Sequence, residues 1–280
     1  MDLYVFLVVA LLLAPPVIMD DYGRPVSLSS EPQRIISIAP GVTEMVFAIG
    51  AGKRLVGVDT ESDFPPEARG IQKVGSYVSP SLERIIALDP DLLLVSDLTP
   101  PQVVSAVEDK GIKVFVVAPE SIKGIAQSMR KLGSILGAEE SAEAAADEFE
   151  RRVSAVEMRT KDQRARPGVY MEYYPYWTFG PGSFGDDLIE LAGGTNIGKK
   201  LRSPYAEVSN EFVVSENPDA IVVTRGRHSS TTIDSVRNRS GWNSTNAVEN
   251  NSIYYIDDDI VSRPGPRMVD ALEELYEILN

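Results

Sequence analysis

The sequence predicts an α/β fold with two lobes, each built on a mostly parallel sheet, joined by one long helix. Three observations predict it. Short apolar β-branched runs alternate with helical segments, which is typical of parallel sheets covered by helices on both faces. Residues 139–163 contain neither glycine nor proline and carry apolar residues at helical spacing. Several sequence marks of the first half recur at the same offsets in the second half.

The first predicted lobe, residues 20–138, alternates strands with helices. Thr43 is a plausible helix N-cap, and Gly50, Gly111 and Gly137 are helix stops at the ends of periodic segments. The predicted strands are 34–39, 55–58, 91–96 and 113–117, and the predicted helices are 43–50, 81–88, 101–110 and 122–136.

The linking segment, residues 139–164, reads as one continuous helix about 38 Å long at ~1.5 Å per residue. The second predicted lobe, residues 165–280, resumes the alternation after Pro167. Its predicted strands are 169–173, 220–224 and 252–256, and its predicted helices are 186–191, 210–215 and 268–279. Each lobe is therefore Rossmann-like in its order of elements.

An internal repeat relates the two lobes. Two predicted apolar helices are bounded by residues at the same spacing. Thr43 stands seven residues before Gly50, and Asp186 stands seven residues before Gly193. Two glutamates, Glu83 and Glu211, each stand seven residues before a Pro-Asp pair that leads into an apolar strand. The shared order indicates a duplicated lobe. Two such lobes facing each other predict a ligand cleft between them, because clefts between domains are favoured places for small ligands.

Composition excludes several classes of function. The 41 acidic side chains outnumber the 27 basic ones, giving a net charge of −14 that disfavours nucleic-acid binding. Without cysteine there is no disulfide, thiolate metal site or thiol nucleophile, and the one histidine, His228, makes a histidine metal site or a catalytic triad improbable. No metal and no cofactor are therefore expected.

An enzyme is the most distant alternative. The three aspartates at 257–259 could bind a cation in a carboxylate-based hydrolase. We interpret them instead as the end of a strand in a solvated loop, because no nucleophile–base arrangement is visible. The sequence therefore predicts a protein without catalytic residues.

The first residues predict a leader. Residues 3–18 are nearly all apolar but are shorter than the ~20 residues of a membrane span, and they fit the apolar core of a secretory signal. We expect residues 1–19 to be a signal peptide or membrane leader and the rest to work outside the cytoplasmic membrane, as a secreted, periplasmic or cell-surface protein. A buried helix is the alternative, and a lipoprotein anchor is not expected because no cysteine follows.

Aromatic residues concentrate in one stretch of the chain. Seven of the 21 aromatic side chains fall within residues 170–184. They are Tyr170, Tyr173, Tyr174, Tyr176, Trp177, Phe179 and Phe184. The prolines and glycines among them predict that much of the stretch is loop, which is rarely deep core. Large flat rings favour a large flat apolar ligand. A self-packed loop or a protein interface is the alternative.

The chain resembles the substrate-binding proteins of ABC importers, in the class III group whose lobes are joined by a rigid helix and whose members bind cobalamin, ferric siderophores or haem. The resemblance runs from about Pro32 to the end of the chain, and eight short motifs carry it, the first of them slightly earlier. They are YGRPV at 22–26, PQRIISIAP at 32–40, TE at 43–44, SDFPPEA at 62–68, VGSY at 74–77, LERI at 82–85, LDPD at 88–91 and RPGPR at 263–267.

The cobalamin binders are the most similar members of that group. Their first pocket ring stands six residues before the LERI glutamate, where this chain has Tyr77, and their second-lobe ring follows a proline, as Tyr205 follows Pro204. Trp177 and Tyr173 match further pocket rings. The resemblance implies that these rings contact the corrin and its lower base. Tyr176, from the aromatic stretch, is a further candidate.

Some positions depart from the cobalamin pattern. Glu61 and Asp97 stand where those proteins have aromatic rings. Asp97 is therefore a candidate ligand contact that offers a carboxylate in place of a ring. Arg225, Arg227 and Arg263 add positive charge, and arginine grips carboxylates in a fork. A ferric siderophore or haem therefore stays open as the ligand, with surface ion pairing as the alternative role of the arginines. Haem binders carry tyrosine directly after Val-Gly, whereas Ser76 intervenes here.

Glu83 and Glu211 occupy matching places in the two halves. The resemblance implies that they meet arginines of the membrane permease. The expected partners are an ABC permease dimer with its ATPase subunits, at the membrane surface, and the binding protein itself is expected to be a monomer. The alternative is that each carboxylate only complements a helix N-terminus, worth ~0.3–1 kcal/mol. A single linking helix also predicts a small closure on ligand binding.

Overall fold

The computed structural model describes residues 16–227, 229 and 231–280. The chain forms two compact units. The first holds the described residues up to Ala118 together with Gln127–Ala146, and the second holds Pro119–Ala126 and Asp147–Asn280.

The first unit contains eight short strands among its described residues. They are β1 (Val17–Met19), β2 (Pro25–Ser27), β3 (Ile35–Ser37), β4 (Leu55–Val58), β5 (Gly75–Ser76), β6 (Ser79–Pro80), β7 (Leu92–Val95) and β8 (Lys113–Val116). Its helices are α1 (Pro40–Ala48), α2 (Leu82–Ala87) and α3 (Pro101–Glu108). Two longer helices, α4 (Ile122–Leu136) and α5 (Glu139–Thr160), contribute residues to both units.

The main sheet of the first unit has the strand order β4-β3-β7-β8, and every neighbouring pair is parallel. Its strands are almost wholly apolar because helices cover both faces, as expected for a parallel sheet. The buried cluster around this sheet comprises Ile36, Ile38, Val74, Ile85, Leu93, Val95, Val107, Val114 and Val116.

Two antiparallel hairpins of the first unit, β1–β2 and β5–β6, were not predicted. Their strands are two or three residues long, too short for a periodic signal. Most of the predicted leader, residues 1–15, lies outside the described residues, and Val17–Met19 at its end form β1, which pairs with β2. Within the described ranges, no helix is both long enough and apolar enough to cross a membrane.

The second unit adds six strands and six helices within its described residues. The strands are β9 (Gly168–Tyr174), β10 (Trp177–Phe179), β11 (Thr195–Asn196), β12 (Tyr205–Glu207), β13 (Ala220–Arg225) and β14 (Ile253–Asp257). The helices are α6 (Phe184–Leu191), α7 (Asn210–Glu216), α8 (Ile233–Arg237), α9 (Asn246–Glu249), α10 (Asp258–Ser262) and α11 (Met268–Leu279).

The second sheet is mixed. Strands β9, β13 and β14 run parallel, and β11 pairs parallel with the start of β9. Strands β10 and β12 add an antiparallel edge in the order β12-β10-β9. The expectation that the aromatic stretch is largely loop is therefore wrong for residues 177–179, because pairing with β9 and with a strand almost 30 residues later makes them a strand.

The predicted repeat is visible in the topology. In each unit a strand, β3 or β9, lies between a short parallel partner, β4 or β11, and the strand that follows the Pro-Asp pair, β7 or β13. Asp91 accepts a hydrogen bond from the backbone N–H of Arg34 just before β3, and Asp219 accepts one from Gly168 at the start of β9, both at 2.8 Å. The repeated aspartates therefore tie together the starts of equivalent strands.

Helix α5 has 22 residues and ends at Thr160, four residues before the predicted end at 164. The Thr160 hydroxyl donates to the carbonyl of Leu191 at 3.1 Å, so the helix end is bonded to the end of α6. Farther back, Arg152 pairs with Asp270 at 2.7 Å and with Glu273 at 2.5 Å, which joins α5 to α11. These contacts anchor the second half of the long helix to the second unit.

Candidate functional site

Four aromatic rings of the second unit form one cluster, which we call the aromatic quartet: Tyr173 on β9, Trp177 and Phe179 on β10, and Tyr205 on β12. The Tyr173 ring lies at the centre, with centroids 4.9 Å from Phe179, 5.8 Å from Tyr205 and 6.5 Å from Trp177. Alternate residues of a strand share a face, which places Trp177 and Phe179 together. The antiparallel edge of the sheet therefore gathers three predicted contacts and adds Phe179.

The quartet is partly open to solvent. Phe179 is buried, Tyr173 and Trp177 are half-buried, and Tyr205 is 46% exposed. Burial, and then the neighbouring Tyr205, raise the pKa of the Tyr173 phenol to about 12. Tyr173 therefore stays protonated at neutral pH, and the surface offers uncharged ring faces and a hydroxyl donor.

The opposite face of β9 carries a buried carboxylate, Glu172, which is fully shielded from solvent. Arg239 grips it in a fork, with nitrogen–oxygen distances of 2.5 and 2.9 Å. The hydroxyls of Tyr170 and Thr231 donate to it at 3.0 and 2.8 Å, and the backbone N–H of Tyr176 donates at 3.1 Å. We call these groups the Glu172 network. The paired charges and the full set of donors offset the cost of burying the carboxylate.

The Glu172 network supports the turn between β9 and β10. The Arg239 guanidinium lies 4.2 Å from the ring centroid of Tyr176 and 4.6 Å from that of Trp242. Tyr176 itself has a left-handed backbone, φ 66°, held by its N–H bond to Glu172. Tyr176 therefore packs under the turn and away from the quartet, so we leave it out of the proposed ligand contacts.

In the first unit, two candidate residues lie on loops near the carboxyl ends of the parallel strands. Asp97 is exposed just after β7, and Tyr77 is half-buried in the turn between β5 and β6. The backbone N–H of Thr60, just after β4, donates to the carbonyl of Gly75 at 2.9 Å, which holds the Tyr77 hairpin beside the end of β4. Ligands of parallel sheets bind beyond the carboxyl ends of strands.

A buried polar chain supports the loop after β4. Asp59 accepts hydrogen bonds from the backbone N–H groups of Glu61 and Ser62, at 2.8 and 3.1 Å, and a short one from the Ser62 hydroxyl. The Ser62 and Thr43 hydroxyls are 2.8 Å apart. Burial raises the pKa of Asp59, although these hydrogen bonds oppose the rise. These buried hydrogen bonds therefore hold the loop that carries Glu61 in place.

The candidate arginines occupy different environments. Arg225, at the end of β13, is exposed, and its guanidinium lies 5.4 Å from the ring centroid of Tyr255. Arg227 is also exposed. The Arg263 side chain is buried and pairs with Asp259 at 2.6 Å, an interaction within α10 and its cap. We therefore keep Arg225 as a candidate contact and leave out Arg263.

Residues 257–259 do not form the solvated loop that was expected. The strand β14 ends at Asp257, which caps α10 by accepting a hydrogen bond from the backbone N–H of Asp259 at 2.8 Å. Asp258 is buried. Over the described residues, no group of three or more histidine, aspartate or glutamate side chains is arranged to hold a metal ion.

Comparison with known proteins identifies the class. A family model described as periplasmic binding protein matches residues 35–260. The chain belongs to the periplasmic binding protein family. This confirms the predicted resemblance, and the family is a transport family without enzymatic activity. The chain is a substrate-binding protein of the ABC transporter type, which works with a permease and an ATPase.

Relatives and solved structures agree with this assignment. The chain is 30% identical over 272 residues to an uncharacterized ABC transporter substrate-binding lipoprotein of Bacillus subtilis, covering 94% of this chain and 85% of that one. It is 28% identical over 257 residues to a vitamin B12-binding protein of Photorhabdus laumondii, covering 91% and 90%. A periplasmic haem-binding protein of Roseiflexus, solved without ligand, superposes with a TM-score of 0.80 at 26% identity, covering 88% and 97%.

The two glutamates of this binding protein have equivalent local structures. Glu83 is the second residue of α2 and Glu211 the second residue of α7, and both are exposed. Each helix is capped by a serine, Ser81 or Ser209, whose hydroxyl accepts the backbone N–H three residues later at 3.3 Å. Hydrogen bonds from Ser209 and from its own backbone lower the pKa of Glu211.

Sequence reasoning missed Glu172, Arg239 and Phe179 as parts of the site. One signal was present: Glu172 is the single charged residue in β9, GVYMEYY, where a buried strand tolerates charge only with a partner. Nothing in the sequence pointed to Arg239 as that partner. Phe179 was noted within the aromatic stretch but was not assigned a contact.

Proposed function

We propose that this binding protein captures cobalamin or a related corrinoid outside the cytoplasmic membrane and delivers it unchanged to an ABC importer permease. The observation that carries the proposal is the aromatic quartet, because it presents uncharged rings at a partly open surface. The similarity to vitamin B12-binding proteins supports the choice of ligand.

The quartet suits a broad, mostly uncharged ring system. Aromatic side chains bury large areas and have few rotatable bonds, so little conformational entropy is lost when a ligand covers them. The exposed Tyr205 and half-buried Trp177 supply area, while the tyrosine hydroxyls can donate to amide carbonyls around a corrin. Tyr77 and Asp97 of the first unit stay predicted ligand contacts.

A second candidate ligand is a ferric siderophore or haem. The observation that favours it is Arg225, whose exposed guanidinium at the end of β13 could pair with a carboxylate of the ligand. The similarity to a haem-binding structure also supports it.

Calorimetric titration and visible spectroscopy with cyanocobalamin, hemin and a ferric siderophore test the proposed function. We expect saturable one-to-one binding of cyanocobalamin, with the ligand recovered chemically unchanged. Binding of only the iron chelates would replace the corrinoid proposal by the second candidate. A protein that binds none of the three would contradict both.

Replacing Tyr205 by alanine is expected to weaken cyanocobalamin binding about tenfold or more, because a ring that contacts Tyr173 and Phe179 is removed from the ligand surface. Tyr174→Ala is the matched control. Tyr174 is also exposed and follows Tyr173 directly, but it takes part in none of the ring contacts that join the quartet. Equal losses in the two variants would contradict a contact specific to the quartet.

A further inference from the structure

The hairpin β1–β2 is tied to the carboxyl end of the first parallel sheet. The backbone N–H of Asp21 donates to the carbonyl of Val116, the last residue of β8, at 3.1 Å. The Asp21 carboxylate accepts from the backbone N–H of Ala118 at 2.8 Å and from Lys131 at 2.6 Å. The tip of the hairpin is therefore fixed beside the loop that leaves β8.

A buried carboxylate shapes this tip. The Asp20 side chain is fully buried and accepts hydrogen bonds from the backbone N–H groups of Tyr22 and Arg24, at 3.0 and 2.9 Å, and from the Arg24 guanidinium at 2.8 Å. Gly23 takes a left-handed φ of 71°, which completes the tight turn. The turn leaves Tyr22 pointing outward, and 61% of it is exposed.

The Tyr22 phenol interacts electrostatically with two carboxylates, one of them beyond the end of the neighbouring strand β7. Partial burial, and then the nearby carboxylates of Asp97 and Asp20, raise the pKa of its phenol. Asp97 lies two residues beyond the end of β7, and Asp21, next to Tyr22, is bonded to the last residue of β8, so Tyr22 lies at the carboxyl edge of the sheet. The phenol stays protonated at neutral pH and can donate a hydrogen bond.

Other large apolar side chains are exposed on loops of the same edge. Phe64 lies in the loop that follows β4, Val78 lies in the turn between β5 and β6, and Leu98 follows β7. Covering such side chains with a ligand would remove the free-energy cost of leaving them in water, so this edge is suited to ligand binding. Binding beyond the carboxyl ends of parallel strands is the usual arrangement.

We infer that Tyr22 is a further ligand-contacting residue, located at the carboxyl edge of the first unit's parallel sheet beside the end of β8. The inference rests on the proposed function, since the ligand is the corrinoid proposed above. Tyr22 contributes a ring face and a hydroxyl donor, and the bonds of Asp20 and Asp21 hold it in position before the ligand arrives.

Titration of cyanocobalamin into the wild-type chain, Tyr22→Ala, Tyr22→Phe and Met19→Ala tests this inference. Tyr22→Ala is expected to raise the dissociation constant about tenfold, and Tyr22→Phe no more than about threefold, because the ring face is kept. Met19→Ala removes another exposed apolar side chain of the same hairpin, away from its tip, and is expected to bind like the wild type. Thermal unfolding of each variant reports its folding.

The outcomes separate the two claims. If the wild type binds cyanocobalamin and the dissociation constant of Tyr22→Ala is within twofold of the wild-type value, only the role of Tyr22 is overturned. Equal losses in Tyr22→Ala and Met19→Ala also overturn it, because the hairpin would then act only as a support. If the wild type binds hemin or a ferric siderophore instead, the corrinoid proposal fails, and the role of Tyr22 is overturned too if Tyr22→Ala binds that ligand within twofold of the wild type. If it binds none, both claims fail.

Discussion

Arg239→Ala is expected to lower the free energy of unfolding by about 3–5 kcal/mol, because it leaves the Glu172 carboxylate buried and without its charged partner. The Arg239 side chain is only 7% exposed and forms both arms of a fork on Glu172. It also covers the rings of Tyr176 and Trp242, whose packing is lost with it. Urea denaturation at neutral pH, fitted for both midpoint and slope, measures the change.

Two further variants identify the cause of that loss. Arg237→Ala removes an exposed arginine two residues away, whose pair with Asp234 has a separation of 3.7 Å, and is expected to cost less than about 1 kcal/mol. Arg239→Lys keeps the charge but loses the fork and the ring stacking, so we expect an intermediate loss. A loss below about 1 kcal/mol for Arg239→Ala would show that the Glu172 network does not stabilise the fold.

The double variant Glu83→Ala with Glu211→Ala is expected to abolish transport while leaving ligand affinity unchanged. Both carboxylates are exposed on equivalent capped helices in the two repeats, and neither belongs to the aromatic quartet. Opposite charges that face each other across a docking surface set orientation and speed of encounter. Uptake of labelled cyanocobalamin in cells that carry the cognate permease measures transport, and calorimetry of the purified variant measures affinity.

Glu140→Ala is the matched control for the docking prediction. Glu140 is also exposed and is also the second residue of a helix, α5, but it has no counterpart in the repeat. It is expected to transport like the wild type. Normal transport by the double variant would contradict the docking role and leave the two glutamates only a role at their helix N-termini.

The sequence predicts three elements of this fold to the residue because composition and stop signals agree there. Strand β4 and helices α4 and α11 begin and end where they were predicted, at residues 55–58, 122–136 and 268–279. Each is bounded by local features such as Gly137, which has a left-handed φ of 61°. The repeat was also predictable, since its marks are local and keep their order.

The parts that were missed depend on distant partners. The three-residue strand β10 exists because it pairs with β12, almost 30 residues later, and no local signal distinguishes it from the surrounding turns. The Glu172 network likewise depends on Thr231 and Arg239, which are 59 and 67 residues from Glu172 along the chain. The contacts of Tyr176 with Glu172 and Arg239, and that of Arg263 with Asp259, were likewise not predicted.

The structure of the complex with cyanocobalamin tests the central claim most directly. We expect the corrinoid intact, with its flat faces in van der Waals contact with Tyr173, Trp177 and Tyr205. A corrinoid bound elsewhere, with the quartet still open to solvent, would contradict the claim that these rings form the ligand-binding surface.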